Sequence, residues 1–449
     1  MKGNSDPNDS TIGPLTRSQE LLGRANKLIP GASQSHNTSP TSWIRGAAPT
    51  HIARGKGSHV WDVDGNEYID HISSGGAIVL GHDEPVVSEA VTDQVSDGTL
   101  FSLPHPLQIE LAQQFVDIIP CAEAVRFGKN GNDVTTLAAK LARSYTDRNV
   151  IATQGYHGWP DIWTSASPQL SSGVPYAVGD FTVPFEYNNI ENLERIFRAH
   201  PENVAAVVMS PVSLSPPAPP ENDFLERVRE LTREQDALLI FDEIITGFRY
   251  SIGGAQEHFG VTPDLACFAK AMGNGYPISA IAGRRDVMDV LENDDFFFTL
   301  TYANEAVSLA AANACLSLLR REPVIEHVYR QGKTLQDGYN ELAAEHSVAD
   351  YTRCHGYPAC SQVYFRNANG KSDLLLKTLF VQECLKRGIL FFGAFFPNYS
   401  HRHGDIQRTL GVFDNAMAEL ATAIETGDIE SRLEGDPLGM TVREQIEEG

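Results

Sequence analysis

The sequence predicts an α/β fold. Strand-like and helical runs alternate from about Asp117 to Leu318, the order expected of a sheet covered by helices. The run Ala237-Leu-Leu-Ile-Phe-Asp-Glu-Ile244 is apolar without helical periodicity, so it reads as a strand buried on both faces, as strands of a parallel sheet are. At 449 residues the chain is too long for one core and predicts two or three lobes.

Along the chain, Asp64-Gly65 between Trp61-Asp-Val and Asn66-Glu-Tyr-Ile-Asp70 marks a hairpin and places a small antiparallel lobe before the α/β core. Ala124 to Arg143 reads as a short strand, a glycine turn at Asn130-Gly131-Asn132, and a helix. Val134, Leu137, Ala138, Leu141 and Ala142 give that helix one apolar face. A strand over Ala205 to Met209 leads through a stiff loop, Ser215 to Pro220, into a helix beginning near Phe224. Val307 to Leu319 is alanine-rich without a breaker and predicts the helix that enters a C-terminal lobe. The acidic stretch Gly427 to Gly449 reads as a helical or frayed surface tail, or as a segment that packs on a partner subunit.

The net charge of −23 argues against nucleic acid and anionic membranes, which need a basic face. The acidity fits either an arginine-favouring, GC-rich source or a surface adapted to salt. No apolar run approaches the roughly 20 residues of a membrane span, and Met1 to Leu15 lacks a basic-then-apolar leader. The six cysteines show no Cys-x-x-Cys spacing and read as reduced thiols of a cytoplasmic protein. His401-Arg402-His403 could ligate a metal, but alternate loop residues converge poorly, so no metal is expected. His36 and His355 read as solvated.

Lys270, in Cys267-Phe-Ala-Lys-Ala-Met-Gly-Asn-Gly275, ends one apolar strand, and Asp242 ends another. A parallel sheet gathers its chemistry at the carboxyl ends of its strands. A lysine that condenses with an aldehyde and an aspartate that holds a pyridinium proton are the pair that pyridoxal 5'-phosphate needs. Alone, either residue has a plainer reading: Lys270 as a surface charge, Asp242-Glu243 as a metal holder. The free N–H groups of the helix that begins at Asn130-Gly131-Asn132 suit an anion, and Gly131 allows its close approach. An ordinary capped helix without ligand is the alternative there.

Together the motifs resemble the class III (fold type I) pyridoxal-phosphate aminotransferases, in the branch containing glutamate-1-semialdehyde aminomutase. The resemblance runs from about Leu21 to Ile424. It is carried by Pro30-Gly31, Trp61-Asp-Val-Asp-Gly-Asn-Glu-Tyr-Ile-Asp70, Leu80-Gly-His82, the Asn-Gly-Asn turn, Gly155-Tyr-His-Gly158, Phe241-Asp-Glu-Ile-Ile-Thr-Gly-Phe-Arg249, Gly253-Gly-Ala-Gln256, Val261-Thr-Pro-Asp264 and Phe268-Ala-Lys-Ala-Met-Gly-Asn-Gly-Tyr-Pro277. It implies a large, mostly parallel-sheet cofactor domain at residues 76–318. A smaller α+β domain would be built from residues 1–75 and 319–449.

By the same resemblance Lys270 matches the Schiff-base lysine, and Asp242 the partner of the ring nitrogen. Asn130, Gly131 and Asn132 match the phosphate turn, although their residue types differ from the usual Ser-Gly-Thr. Tyr156 matches the aromatic that stacks on the ring; a core tyrosine is the plainer reading, which the neighbouring His157-Gly158 argues against. His157, Glu243 and Ile245 complete the expected cofactor contacts. Thr301 matches the threonine that reaches the phosphate of the neighbouring subunit, so a homodimer with shared sites is implied.

The sequence departs from the aminomutase after Pro30-Gly31. The arginine expected there for a substrate carboxylate is missing, and the next arginine is Arg45. Ser210-Pro211 and Ile245 replace a usual glutamate before the proline and a frequent glutamine. The resemblance therefore implies an aminotransferase that moves an amino group between an amino acid, amine or amino sugar and a keto acid or aldehyde. An intramolecular aminomutase, or a racemase or epimerase, is the alternative. Arg402 and His403 are further candidates to meet substrate.

Overall fold

The computed structural model describes residues 11–214 and 217–440. The chain divides into two compact units. Among the described residues, one is built from 11–75, Val79–Glu84 and 326–440; the other from Gly76–Ile78 and Pro85–Ile325.

The second unit is organised by a seven-stranded sheet. Its order is Ala124–Gly128, Ser279–Gly283, Leu265–Phe268, Leu238–Asp242, Val204–Met209, Val150–Gln154, Thr182–Pro184. All pairings are parallel except the two made by Ser279–Gly283, which is antiparallel to both neighbours. Every residue of Val204–Met209, Leu238–Asp242 and Leu265–Phe268 is buried, which is why these segments read as unbroken apolar runs.

The helix Gly131–Thr146 lays Val134, Leu137, Ala138, Leu141 and Ala142 against Ile151, Ala206, Ile240 and Leu265 of this sheet. Full burial of each valine or leucine stabilises the packing by roughly 1.5–3 kcal/mol. The helix stops at Asp147, whose left-handed φ of 55° cannot continue the turn. The expected helices at 224 and 307 are Phe224–Glu234 and Ala306–Arg321.

The first unit contains the expected hairpin. His59–Asp62 and Glu67–Asp70 pair antiparallel, and Asp62 Oδ1 accepts from the N–H groups of Asp64 and Asn66 to close the turn at Gly65, φ 91°. Ile52–Lys56 flanks one side, and the C-terminal strand Ile389–Leu390 joins the other in parallel. A second, three-stranded sheet is formed by Thr352–Tyr357, Cys360–Phe365 and Ala394–Phe395. The core of the unit is aromatic: Tyr339, Phe380, Phe391, Phe395 and Phe413 meet within ring-centroid distances of 4.7–6.4 Å.

Several expectations need correction. His355 is half-buried, edge-on to Tyr364 at 4.9 Å, because it lies in the paired hairpin Thr352–Tyr357/Cys360–Phe365 and not in a solvated loop. The tail is not frayed as far as it is described. After Gly427 it makes one 3-10 turn, Ile429–Arg432, and is then tied to its own unit: Lys386 to Glu434, Gln382 to the Glu434 N–H, Thr378 to the Leu438 N–H. Residues 441–449 lie outside the described chain. The proline-rich loop is partly laddered, with Ser213 opposite Ala218 and Leu214 opposite Pro217; residues 215–216 also lie outside the description.

All six cysteines are unpaired and buried. Among the described residues, no helix is long and apolar enough to cross a membrane, and no group of three or more metal-ligating side chains converges.

Candidate active site

Asp242 is the last residue of Leu238–Asp242, and the parallel register sets it opposite Cys267 of the next strand. The neighbouring strand ends at Phe268, and Lys270 follows two residues later, half-buried, at the start of the 3-10 turn Lys270–Gly273. The two residues singled out from sequence thus stand at the carboxyl ends of adjacent strands. Lys270 has φ 46°, a left-handed conformation that costs a non-glycine residue on the order of 1–3 kcal/mol. Such strain is retained only where surrounding structure enforces the position of the side chain.

The Asp242 side chain is buried, and its two oxygens have different partners. Oδ2 accepts a 2.6 Å hydrogen bond from His157 Nδ1, and Oδ1 accepts from the Ile244 N–H at 3.0 Å. His157 is only 3% exposed. Its ring stands edge-on to Trp163 at 5.1 Å, and its carbonyl accepts from the Thr135 hydroxyl. The imidazole is therefore clamped on its backbone and ring sides, and with Nδ1–H donating it fixes the direction of the carboxylate. His157 Nε2 is buried with no partner among the described residues. Burial and the nearby Asp242 carboxylate push the Cys267 thiol well above its usual range, so it is no nucleophile.

The expected anion turn is formed as a helix start. Asn130 is extended at φ −105°, and the helix begins at Gly131. Asp133 Oδ2 accepts from the N–H groups of both Lys129 and Asn130, at 3.1 and 2.7 Å, and so pins the turn from inside. The N–H groups of Gly131 and Asn132 lie in the first helical turn, where no intrahelical carbonyl is available to them. Gly131 packs against Ile244: a Cβ there would lie 2.6 Å from Ile244 Cδ1 and would push the tip of that side chain aside. Gly158, at φ 135°, brings the Tyr156–Gly158 loop against the same turn; its Cβ would lie 2.6 Å from Asn132 Cβ.

The remaining expected residues are placed less uniformly. Tyr156 is 39% exposed, directly beside the clamped His157. Ile245 is buried, and it is Ile244, not singled out from sequence, whose side chain abuts Gly131. The Glu243 carboxylate is fully buried and engaged elsewhere: it accepts from the Thr246 hydroxyl, the N–H groups of Ala255 and Gln256, and Gln256 Nε2. Burial pushes its pKa up in spite of these bonds. It holds the Gly253–Gln256 bend in place. Thr301 is exposed, while the adjacent Thr299 and Leu300 line a shallow hollow of about 300 Å3 with Asn132, Thr136 and Pro160.

These features meet the demands of a phosphorylated pyridine aldehyde. Unpaired N–H groups at a helix N-terminus suit the phosphate, and a buried, oriented carboxylate suits a ring cation. A lysine at the same sheet edge suits the aldehyde.

Within the first unit, Gly31 turns the chain at φ 70°, and the stretch after it carries hydroxyls instead of a cation. Ser33 and Ser35 bond to Thr38 Oγ1, and Ser39 Oγ donates to the Gly31 carbonyl. Arg45 is paired at long range, 3.9 Å, with Asp436. The three residues 401–403 do not converge: Arg402 and His403 are exposed, whereas His401 is buried and stacked on His71 at 4.8 Å.

A family model described as Aminotransferase class-III matches residues 44–417. Among curated relatives, a 3-aminobutyryl-CoA aminotransferase of Cloacimonas acidaminovorans is 33% identical, over 90% of this chain and 98% of the relative. A glutamate-1-semialdehyde 2,1-aminomutase of Syntrophobacter fumaroxidans is 35% identical, with the same coverage of each chain. Among solved structures, the FumI protein of Sphingopyxis sp. MTA144, in its PLP internal aldimine form, superposes with a TM-score of 0.85 at 28% identity, covering 92% of this chain and 98% of that one.

Proposed function

The chain belongs to the class-III aminotransferases, which are pyridoxal-phosphate enzymes, and from that membership we propose a transaminase in which Lys270 and Asp242 carry the chemistry. The amino donor is an amino acid, amine or amino sugar, and the acceptor a separate keto acid or aldehyde. The observation that carries this reading is the buried Asp242–His157 pair beside Lys270 at the carboxyl edge of the parallel sheet.

When bound, the cofactor supplies an aldehyde that condenses with amines and a ring that accepts electrons. The N–H groups of Gly131 and Asn132 bind its phosphate, and the Asn130 extension sets their direction. Asp242 Oδ1 holds the proton on the ring nitrogen, with Oδ2 kept in place by His157. Tyr156 offers a flat face to the ring, and Ile244 packs beside Gly131. Lys270 Nζ would hold the aldehyde and, as a free amine, would move the proton at the substrate carbon. The cofactor domain is residues 76–318, with residues 1–75 and 319–449 forming the small domain. The enzyme works in the cytoplasm as a homodimer, in which Thr301 reaches the phosphate bound by the other chain.

The hydroxyl-rich stretch after Gly31 supports a donor without a glutamate-like carboxylate at that position. Losing a charge-assisted bidentate contact weakens such a ligand by roughly 1.5–3 kcal/mol. The relative named for 3-aminobutyryl-CoA makes amines on a β-carbon the first donors to try. Enzyme mixed with each donor, without acceptor, should release one carbonyl product per cofactor converted to its amine form and then stop. The second reading, an aminomutase, rests on the 35% identical relative. Rapid conversion of glutamate-1-semialdehyde to 5-aminolevulinate with no acceptor would establish it and overturn the transaminase.

A further inference from the structure

Lys129 stands immediately before the Asn130–Asn132 turn. Its Nζ donates to Glu305 Oε2 at 2.9 Å, with the two side chains only 14% and 19% exposed. Glu305 is itself the N-cap of Ala306–Arg321. Its Oε1 accepts from the Val307 N–H at 2.7 Å, and Oε2 from the Ser308 N–H at 3.1 Å and the Ser308 hydroxyl at 2.6 Å. Burial pushes the Glu305 carboxyl up, but the Lys129 and Ser308 bonds outweigh it and hold it below the usual range.

One largely buried ion pair therefore joins two segments far apart in sequence. On one side the Lys129 and Asn130 N–H groups are fixed by Asp133. On the other lies the segment 299–305, whose own backbone bonds are short-range: Ala303 to Leu300 and Glu305 to Tyr302. A movement of the turn that displaces Lys129 leaves the largely buried Glu305 carboxylate with its Val307 and Ser308 donors but without a counter-charge, a cost that ties the position of one segment to that of the other.

We propose that Lys129 and Glu305 are positioning residues that couple the two cofactor sites of the dimer. The inference rests on the reading above, in which the 130–132 turn holds the chain's own cofactor phosphate and Thr301 reaches the phosphate bound by the other chain. Phosphate that orders the turn of one chain orders, through Lys129–Glu305, the loop which that chain lends to its neighbour. Binding at each site then favours binding at the other, and by thermodynamic linkage the effect is reciprocal.

Mixed dimers test this. Two differently tagged chains are co-expressed: one native, the other carrying Lys270→Ala together with Glu305→Gln. Borohydride fixes cofactor only on Lys270 of the native chain, so the fluorescence of that chain, followed against pyridoxal phosphate concentration, reports a single site. That site has a native turn but borrows its loop from the altered chain. Glutamine keeps one acceptor oxygen for the first-turn N–H groups, so the helix cap is retained in part.

Relative to mixed dimers carrying Lys270→Ala alone, half-saturation should rise about tenfold, within the usual span of coupling between sites. Lys129→Met in place of Glu305→Gln leaves the cap untouched and should act in the same direction. Unchanged half-saturation with both variants overturns the coupling. Thr301→Ala on the altered chain separates the two layers. If it weakens the native site while the ion-pair variants do not, the shared-site reading stands and the coupling fails. If it too has no effect, the shared-site reading falls and takes the coupling with it.

Discussion

Asp242 and His157 act as one unit, because a carboxylate oxygen with a 2.6 Å imidazole partner cannot rotate to serve another group. In the proposed site, Asp242→Asn removes the charge that would keep the ring nitrogen protonated. Its turnover should fall on the order of a hundredfold or more, about 2.7 kcal/mol in the barrier, while cofactor still binds. Near-native turnover in Asp242→Asn would place the ring partner elsewhere. The placement of Lys270 and Asp242 at the ends of adjacent strands is legible in the sequence, because apolar runs without helical periodicity end at or just before them. The His157–Asp242 bond is not legible: its partners lie 85 residues apart and meet only through the sheet order. Glu243 misleads for a related reason. A carboxylate next to the one proposed for the ring looks functional, but alternation along the backbone turns it to the Gly253–Gln256 bend.

At the scale of elements, apolar periodicity locates Gly131–Thr146, which buries one face, and an alanine-rich run without a breaker locates Ala306–Arg321, which is buried on most of its surface. The tail and the proline-rich segment are read less well, because Thr378, Gln382 and Lys386 tie down the tail and a two-residue ladder pairs Ser213 and Leu214 with Ala218 and Pro217. The first unit also holds two stacked, buried histidines that no pattern announces. His71 Nε2 meets the Thr409 hydroxyl, and His401 Nδ1 accepts from the Asn398 N–H. Burial pushes His71 well below its usual range and His401 down to about 4.

The unfolded chain therefore takes up protons more readily than the folded one between roughly pH 6.5 and 4, and stability falls as pH falls through that window. His401 alone accounts for about 3 kcal/mol at 1.36 kcal/mol per pKa unit. His59 works the other way: its hydrogen bond to Asp405 raises its pKa, and that contribution is lost as pH rises. Chemical denaturation at pH 7.5 and pH 5 should show a marked loss at the lower pH, smaller in His401→Phe. Equal losses in both proteins would contradict the assignment.

At the scale of the whole molecule, apolar side chains stand exposed on the sheet-bearing unit, among them Leu100, Phe101, Leu103, Ile109, Phe297 and Tyr302. In the proposed homodimer a second copy of the chain would cover such side chains and bring its Thr301 to the neighbouring site. Sedimentation at working concentration should find a dimer; an active monomer would refute shared sites. The fold class is legible at this scale from strand–helix alternation, whereas the division at Gly75 and Glu326 is set by long-range contacts that leave no local mark. The most direct test is the covalent attachment itself. Holoenzyme reduced with borohydride and digested should carry one cofactor per chain, on the peptide containing Lys270. Lys270→Ala should carry none, and label on any other lysine would contradict the site.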